Sequence, residues 1–142
     1  MKKNIIIAIS LVILFFGCSK KEELKPSTDS LLASEAISAI DAIKSAYQGK
    51  NKDILQNRLD ALLAEDLLQQ LQFETANLSF TPRMIKITES AVIVQMNWQG
   101  IWGIKGKEFK NRGVTDFVLE GRPMKLRQIN GDNPFHIPPD RD

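Results

Sequence analysis

A chain of 142 residues, 43% of them hydrophobic, is long enough for one domain of ordinary size with a modest core. Its 19 Lys plus Arg stand against 17 Asp plus Glu, and setting aside Lys2 and Lys3 of the leader leaves 17 against 17, which excludes a strongly basic nucleic-acid surface. With one cysteine and one histidine, a disulfide framework, a Cys/His zinc cage and Ser/His or Cys/His catalysis are excluded as well, so the fold must stand on packing alone.

The chain opens with Lys2-Lys3, an apolar run from Ile5 to Phe16, then Gly17 and Cys18. A positive start, a short apolar stretch and a small residue before the cut form a secretory signal peptide. The apolar run is shorter than the roughly 20 residues of a membrane-spanning helix. The lone Cys18 at the expected cut resembles a bacterial lipoprotein signal. That resemblance implies that residues 1–17 are removed, that the Cys18 thiol carries a diacylglyceryl group, and that the new amino terminus is acylated too. Ser19 resembles the residue found there in lipoproteins passed to the outer membrane. The expected location is therefore the cell envelope, anchored to lipid at the outer membrane and facing the periplasm. Residues 18–28 (Ser19 to Ser27 reads SKKEELKPS) are too polar to fold and read as a flexible tether.

The domain is expected over residues 29–135, with a Pro-rich tail at 136–142. A helix begins at Thr28 or Asp29, with Leu32, Ala36, Ile40, Ile43 and Tyr47 forming one apolar stripe. Gly49 suits its C-terminal left-handed position, and Asn51 suits the N-cap of the next helix. Leu55, Leu59, Leu63, Leu67 and Leu71 recur every four residues, with Leu62 and Leu68 widening the stripe. This is one helix of about five turns or two broken near Ala64-Glu65-Asp66. After Phe73 the period changes to two. Leu78 and Phe80 alternate until Thr81-Pro82 interrupts, and Met84 to Thr88 forms a short strand. Val92, Val94, Met96, Trp98, Trp102 and Ile104 share one parity of a long strand in which Gly100 and Gly103 allow a bulge. Lys105-Gly106-Lys107 reads as a hairpin turn, Phe109 to Glu120 as the return strand, and Met124 to Asn130 as the last strand after a turn at Gly121-Arg122-Pro123. Helices succeeded by a run of antiparallel strands make an α+β layout, with the N-terminal helices packed on one face of a strongly curved sheet.

That order carries a further resemblance. A helix ending near Gly49-Lys50-Asn51-Lys52-Asp53, a leucine-rich second helical stretch, Trp98-Gln99-Gly100, Ile104-Lys105-Gly106, Gly113 and Met124-Lys125-Leu126-Arg127-Gln128-Ile129 together resemble the nuclear transport factor 2-like superfamily over roughly residues 30–135. Met124 stands where that family usually has an aromatic residue. The resemblance implies a cone: a bent sheet wrapped on a long helix, a pocket between them, and frequent homodimerisation through the sheet. It implies no activity, since the fold serves isomerases, dehydratases and non-catalytic modules.

Enzymes of this superfamily use a pocket carboxylate as base with a Tyr or protonated Asp as donor, which makes Asp116 and Tyr47 the catalytic candidates here. Asp116 lies between outward-parity neighbours and Tyr47 near a helix end, so solvation and packing account for both. His136, with Asp132 and Asp140 nearby, makes a poor cage, and no metal or cofactor is expected. Met96, Trp98, Trp102, Phe109, Phe117 and Met124 are pocket-lining candidates that core packing explains as well. Lys105, Lys107, Lys110, Arg112, Arg122, Lys125 and Arg127 cluster in sequence around two hairpin turns, diluted by Glu108, Asp116 and Glu120. The expectation is a lipid-anchored, non-catalytic module that binds an envelope protein or a small apolar ligand, and no nucleic acid. The alternatives are a small pocket enzyme of isomerase or dehydratase type and a structural subunit of an envelope assembly.

Overall fold

A computed structural model describes residues 25–139. Three helices, α1 (Thr28–Gln48), α2 (Lys52–Arg58) and α3 (Ala61–Gln69), precede four strands, β1 (Thr75–Ile87), β2 (Ala91–Ile104), β3 (Lys107–Glu120) and β4 (Lys125–Gly131). The strands form one antiparallel meander in the order β1-β2-β3-β4, and the helices cover its inner face. The expected α+β layout with helices on one side of a curled sheet is the fold of this chain.

Helix α1 starts where the Ser27 side chain accepts the Ser30 N–H at 3.1 Å, with Asp29 in the first turn against the helix dipole. Ala36, Ala39, Ile40, Ile43, Ala46 and Tyr47 are its buried face. The three alanines let the sheet approach closely, and each of the larger side chains contributes about 1.5–3 kcal/mol by leaving water. The left-handed residue at its end is Lys50 (φ 53°) rather than the expected Gly49, which stays right-handed at φ −84°. The Asn51 N–H reaches back to the Ala46 carbonyl at 2.8 Å, and the Asn51 side chain then caps α2, as expected.

The leucine-rich stretch is two helices, broken at Leu59-Asp60 rather than near Ala64-Glu65-Asp66. The cause lies in the last strand. Leu59 bridges Leu126, the Asp60 N–H donates to the Leu126 carbonyl at 2.8 Å, and the Asp60 carboxylate both caps α3 and pairs with Arg127 at 2.6 Å. The Arg127 hydrogen bond holds the Asp60 carboxyl below its usual range. Leu55, Leu59 and Leu67 are buried, whereas Leu62 is 77% exposed and does not widen the apolar stripe.

The expected interruption at Thr81-Pro82 is a bulge within a single strand. β1 pairs with β2 throughout, with the register shifting between Pro82 and Met84. Proline's missing N–H is tolerated because β1 is an edge strand. Conversely, β2 runs unbroken against β3 from Ala91 to Ile104, so of the bulge or sharp coil that Gly100 and Gly103 allow, the bulge is absent. Gly100 serves another purpose, since a Cβ there would lie 2.3 Å from the Trp102 ring and 2.8 Å from Leu78. At the hairpin between β2 and β3, Lys105 (φ 49°) and Gly106 (φ 76°) make the two-residue turn with both centres left-handed that matches strand twist.

Candidate functional site

Two places in the fold could hold a site, the interior of the cone and the outer face of its sheet. The interior is built from aromatic rings. Trp102, Tyr47, Phe117 and Phe135 are at most 1% exposed. The Tyr47 ring lies 4.9 Å from Phe73 and 5.1 Å from Phe135, and the Phe135 ring reaches Phe80 at 6.1 Å and Phe117 at 6.2 Å. Phe135 comes from the segment after β4, whose start is tied down where the Asp132 N–H donates to the Val114 carbonyl and the Trp98 indole N–H donates to the Asp132 carbonyl. The chain's own C-terminal segment thus fills the centre of the cone.

The polar atoms inside are spent on one another. The Trp102 indole N–H donates to the Tyr47 oxygen at 3.0 Å, and the Tyr47 hydroxyl donates to the Phe135 carbonyl at 3.1 Å. Burial pushes the Tyr47 hydroxyl up to about 12, against the opposing effect of the Trp102 hydrogen bond. Folding therefore favours the neutral phenol. This contribution to stability is complete below the unfolded pKa of about 10 and is lost as pH rises from there toward the folded value. Tyr47 is the only tyrosine in the chain, so an alkaline ultraviolet titration reads it alone. The expected midpoint lies near 12 in the folded protein, and a midpoint near 10 would mean that the hydroxyl is solvated.

Asp116 is not part of this interior. In β3 the buried residues are Thr115, Phe117 and Leu119, so Asp116 points outward, where it accepts from the Gln95 amide at 3.1 Å. The pair Tyr47 and Asp116 is split by the sheet, and a base-and-donor arrangement between them is corrected on that ground. Among the described residues no carboxylate or imidazole is buried; Thr115 is the one buried residue outside the apolar and aromatic set. Nor do His136 and Asp132 converge. His136 Nε2 meets Asp66 on α3 at 2.9 Å, while Asp132 accepts the Val114 N–H; Asp140 lies outside the described residues, as does Cys18.

Of the pocket-lining candidates, Met96, Trp102 and Phe117 are core residues, at most 2% exposed. Met124 is buried at the edge of a hollow of about 290 Å³ between the start of α1 and the two turns at that end of the sheet. Phe109 is half-buried beside Pro138 and Pro139, and Trp98, though 2% exposed and on the inward parity of β2, is among the residues around a hollow of about 400 Å³ on the outer face. The basic residues grouped by sequence also separate. Lys105 to Arg112 sit at the β2–β3 hairpin and Arg122 to Arg127 at the opposite end of the sheet.

The outer face is the less expected candidate. Across β1, β2 and β3 the register places Asn77, Ile101 and Lys110 in one row, Ser79, Gln99 and Arg112 in the next, and Thr81, Asn97 and Val114 in the third. Rows of this kind have neighbours about 4.8 Å apart across strands. Two hollows of about 400 and 420 Å³ share Gln99 and Arg112 as walls. Lys110 pairs with Glu108 at 2.8 Å, but the Arg112 guanidinium and the side chains of Asn77, Ser79, Thr81, Asn97 and Gln99 make no hydrogen bond or ion pair with any described residue. None of the nine positions is acidic. The other half of the same face satisfies itself, with Gln95 on Asp116 and Arg127 toward Glu120 at 3.8 Å. Half of the signal for this site was in the sequence: the two-residue turn at Lys105-Gly106 pairs Ile104 with Lys107 and hence Gln99 with Arg112, whereas the alignment of β1 on them was not.

No helix among the described residues is long and apolar enough to cross a membrane. No protein-family model matches the chain, and no curated protein does. Among solved structures it is similar to an M. tuberculosis LEH-like epoxide hydrolase, with a TM-score of 0.47 and 17% identity over 70% of this chain and 84% of that chain.

Proposed function

We propose that this chain is a lipid-anchored envelope protein, held by acylated Cys18, whose domain is a non-catalytic binding module working through the outer face of its sheet. The observation that carries this reading is the filled interior. Tyr47, Trp102, Phe117 and Phe135 occupy the centre, the Tyr47 hydroxyl is engaged on both sides, and no buried carboxylate or imidazole stands among the described residues to move a proton. A pocket enzyme needs a titratable group facing its substrate, and Asp116, the carboxylate that the sequence offers for that role, faces away. The outer face, by contrast, presents beside two hollows polar side chains that pair with no described residue.

Native mass spectrometry of the protein extracted from its own membrane tests both halves. The expected mass is that of a chain beginning at Cys18 plus acyl groups, and Cys18→Ser should abolish the added mass. A chain still carrying residues 1–17 without lipid would overturn the anchor. A small molecule retained until the domain unfolds would place the ligand in the interior and overturn the outer-face reading.

A further inference from the structure

We infer that the three-row polar face around Arg112 is a binding site for a carboxylate-bearing saccharide. The inference rests on the binding-module reading above and names the class of ligand. Its starting point is the contrast between the two halves of one sheet face. Around Asp116 and Glu120, charges and amides pair with one another. Around Arg112, five amide and hydroxyl side chains and one guanidinium project side by side and pair with no described residue.

The donor set decides the chemistry. Asn and Gln amides and Ser and Thr hydroxyls each both donate and accept, which matches sugar hydroxyls, themselves donors and acceptors. A purely anionic partner such as an acidic peptide calls for several cations. Here one guanidinium, that of Arg112, has no partner among the described residues, and the neighbouring Lys110 is paired with Glu108 at 2.8 Å. One fork-shaped guanidinium among five dual-function groups suits one carboxylate on an otherwise neutral, hydroxylated molecule. Ile101 and Val114, 40% and 37% exposed, supply apolar contact for the C–H faces of a ring. The absence of any acid from the nine positions removes the repulsion that a carboxylate would meet at Asp116. The two hollows that share Gln99 and Arg112 give room for more than one ring along the face.

The test is calorimetric titration of the acylated protein, purified from its own membrane in detergent, with trigalacturonate, set against the neutral galactotriose and a triglutamate peptide. Saturable binding of trigalacturonate is expected, with galactotriose and triglutamate each at least about tenfold weaker. Arg112→Gln, which keeps the stem and an amide, is expected to weaken trigalacturonate at least about tenfold, whereas the distal Asp116→Asn leaves it within about twofold. Circular dichroism confirms that both variants are folded. Absence of saturable trigalacturonate binding, or binding indifferent to Arg112→Gln, overturns the proposal. Equal or tighter binding of triglutamate, lost in Arg112→Gln, also overturns it while leaving the binding module intact with an acidic protein as its partner. Cleavage of trigalacturonate during the titration would instead sink the non-catalytic reading.

Discussion

Replacing Trp102 by alanine is expected to destabilise the domain by about 3–5 kcal/mol, as truncating a fully buried aromatic does. The indole is 0% exposed, meets Trp98 edge-on at 6.5 Å, and lies over Gly100, which has no side chain of its own to fill the space. The substitution also removes the N–H that the Tyr47 oxygen accepts, leaving that oxygen buried with its own proton directed at Phe135. Against a total stability of about 5–15 kcal/mol this is a large fraction. Denaturant unfolding should show a lower midpoint with an unchanged slope. Trp102→Phe separates the two effects by keeping most of the ring without the N–H, and it should cost less, about 1–3 kcal/mol. A loss below about 1 kcal/mol for Trp102→Ala would mean that the ring is not core.

This centre explains what could be read from the sequence and what could not. The parity of Val92, Val94, Met96, Trp98 and Trp102 was legible because a strand buried on one face alternates, and all five are buried. The α1 stripe was legible for the same reason at a different period. The break between α2 and α3 was not, because its cause is the distant Leu126 carbonyl and Arg127 side chain rather than any local breaker. Pro82 read as a residue of a strand edge or bend, and it lies at a bulge of the edge strand β1; the sequence left open only that the strand continues past it, because that shows in the pairing with β2. Phe135 is the clearest case. It sits in a Pro- and Asn-rich segment with no periodic neighbours, yet its ring and carbonyl complete the interior around Tyr47. Periodicity finds residues that share an element with other core residues, and it has no purchase on a single side chain delivered by a loop. The outer-face rows were hidden differently. Each strand's polar parity was visible, but their alignment on β1 depends on the extra residue at the Pro82–Met84 bulge.

Gly100→Ala is the substitution whose sign decides between two accounts of that glycine. In a strand interior, alanine normally improves on glycine, which leaves the chain more entropy to lose and packs nothing. Here the added methyl would lie 2.3 and 2.7 Å from two atoms of the Trp102 ring and 2.8 Å from Leu78. The ring is fully enclosed, so the strand or the indole must shift, and the expected cost is about 1–3 kcal/mol or more. Gln99 and Ile101 flank Gly100 on the outer face, so a displaced strand should also disturb the row formed by Ser79, Gln99 and Arg112. The two sites touch, so they should couple. In the background of Trp102→Phe the shorter ring leaves room for the methyl, and the double variant should cost less than the sum of the singles by about 0.5–3 kcal/mol. Unfolding of the two single variants and the double completes the cycle. Additivity within about 0.5 kcal/mol, or a stabilising Gly100→Ala, would show that the glycine is not the seat of the indole. The expected coupling would instead show that the inner packing of Trp102 sets the position of the strand that carries the outer face.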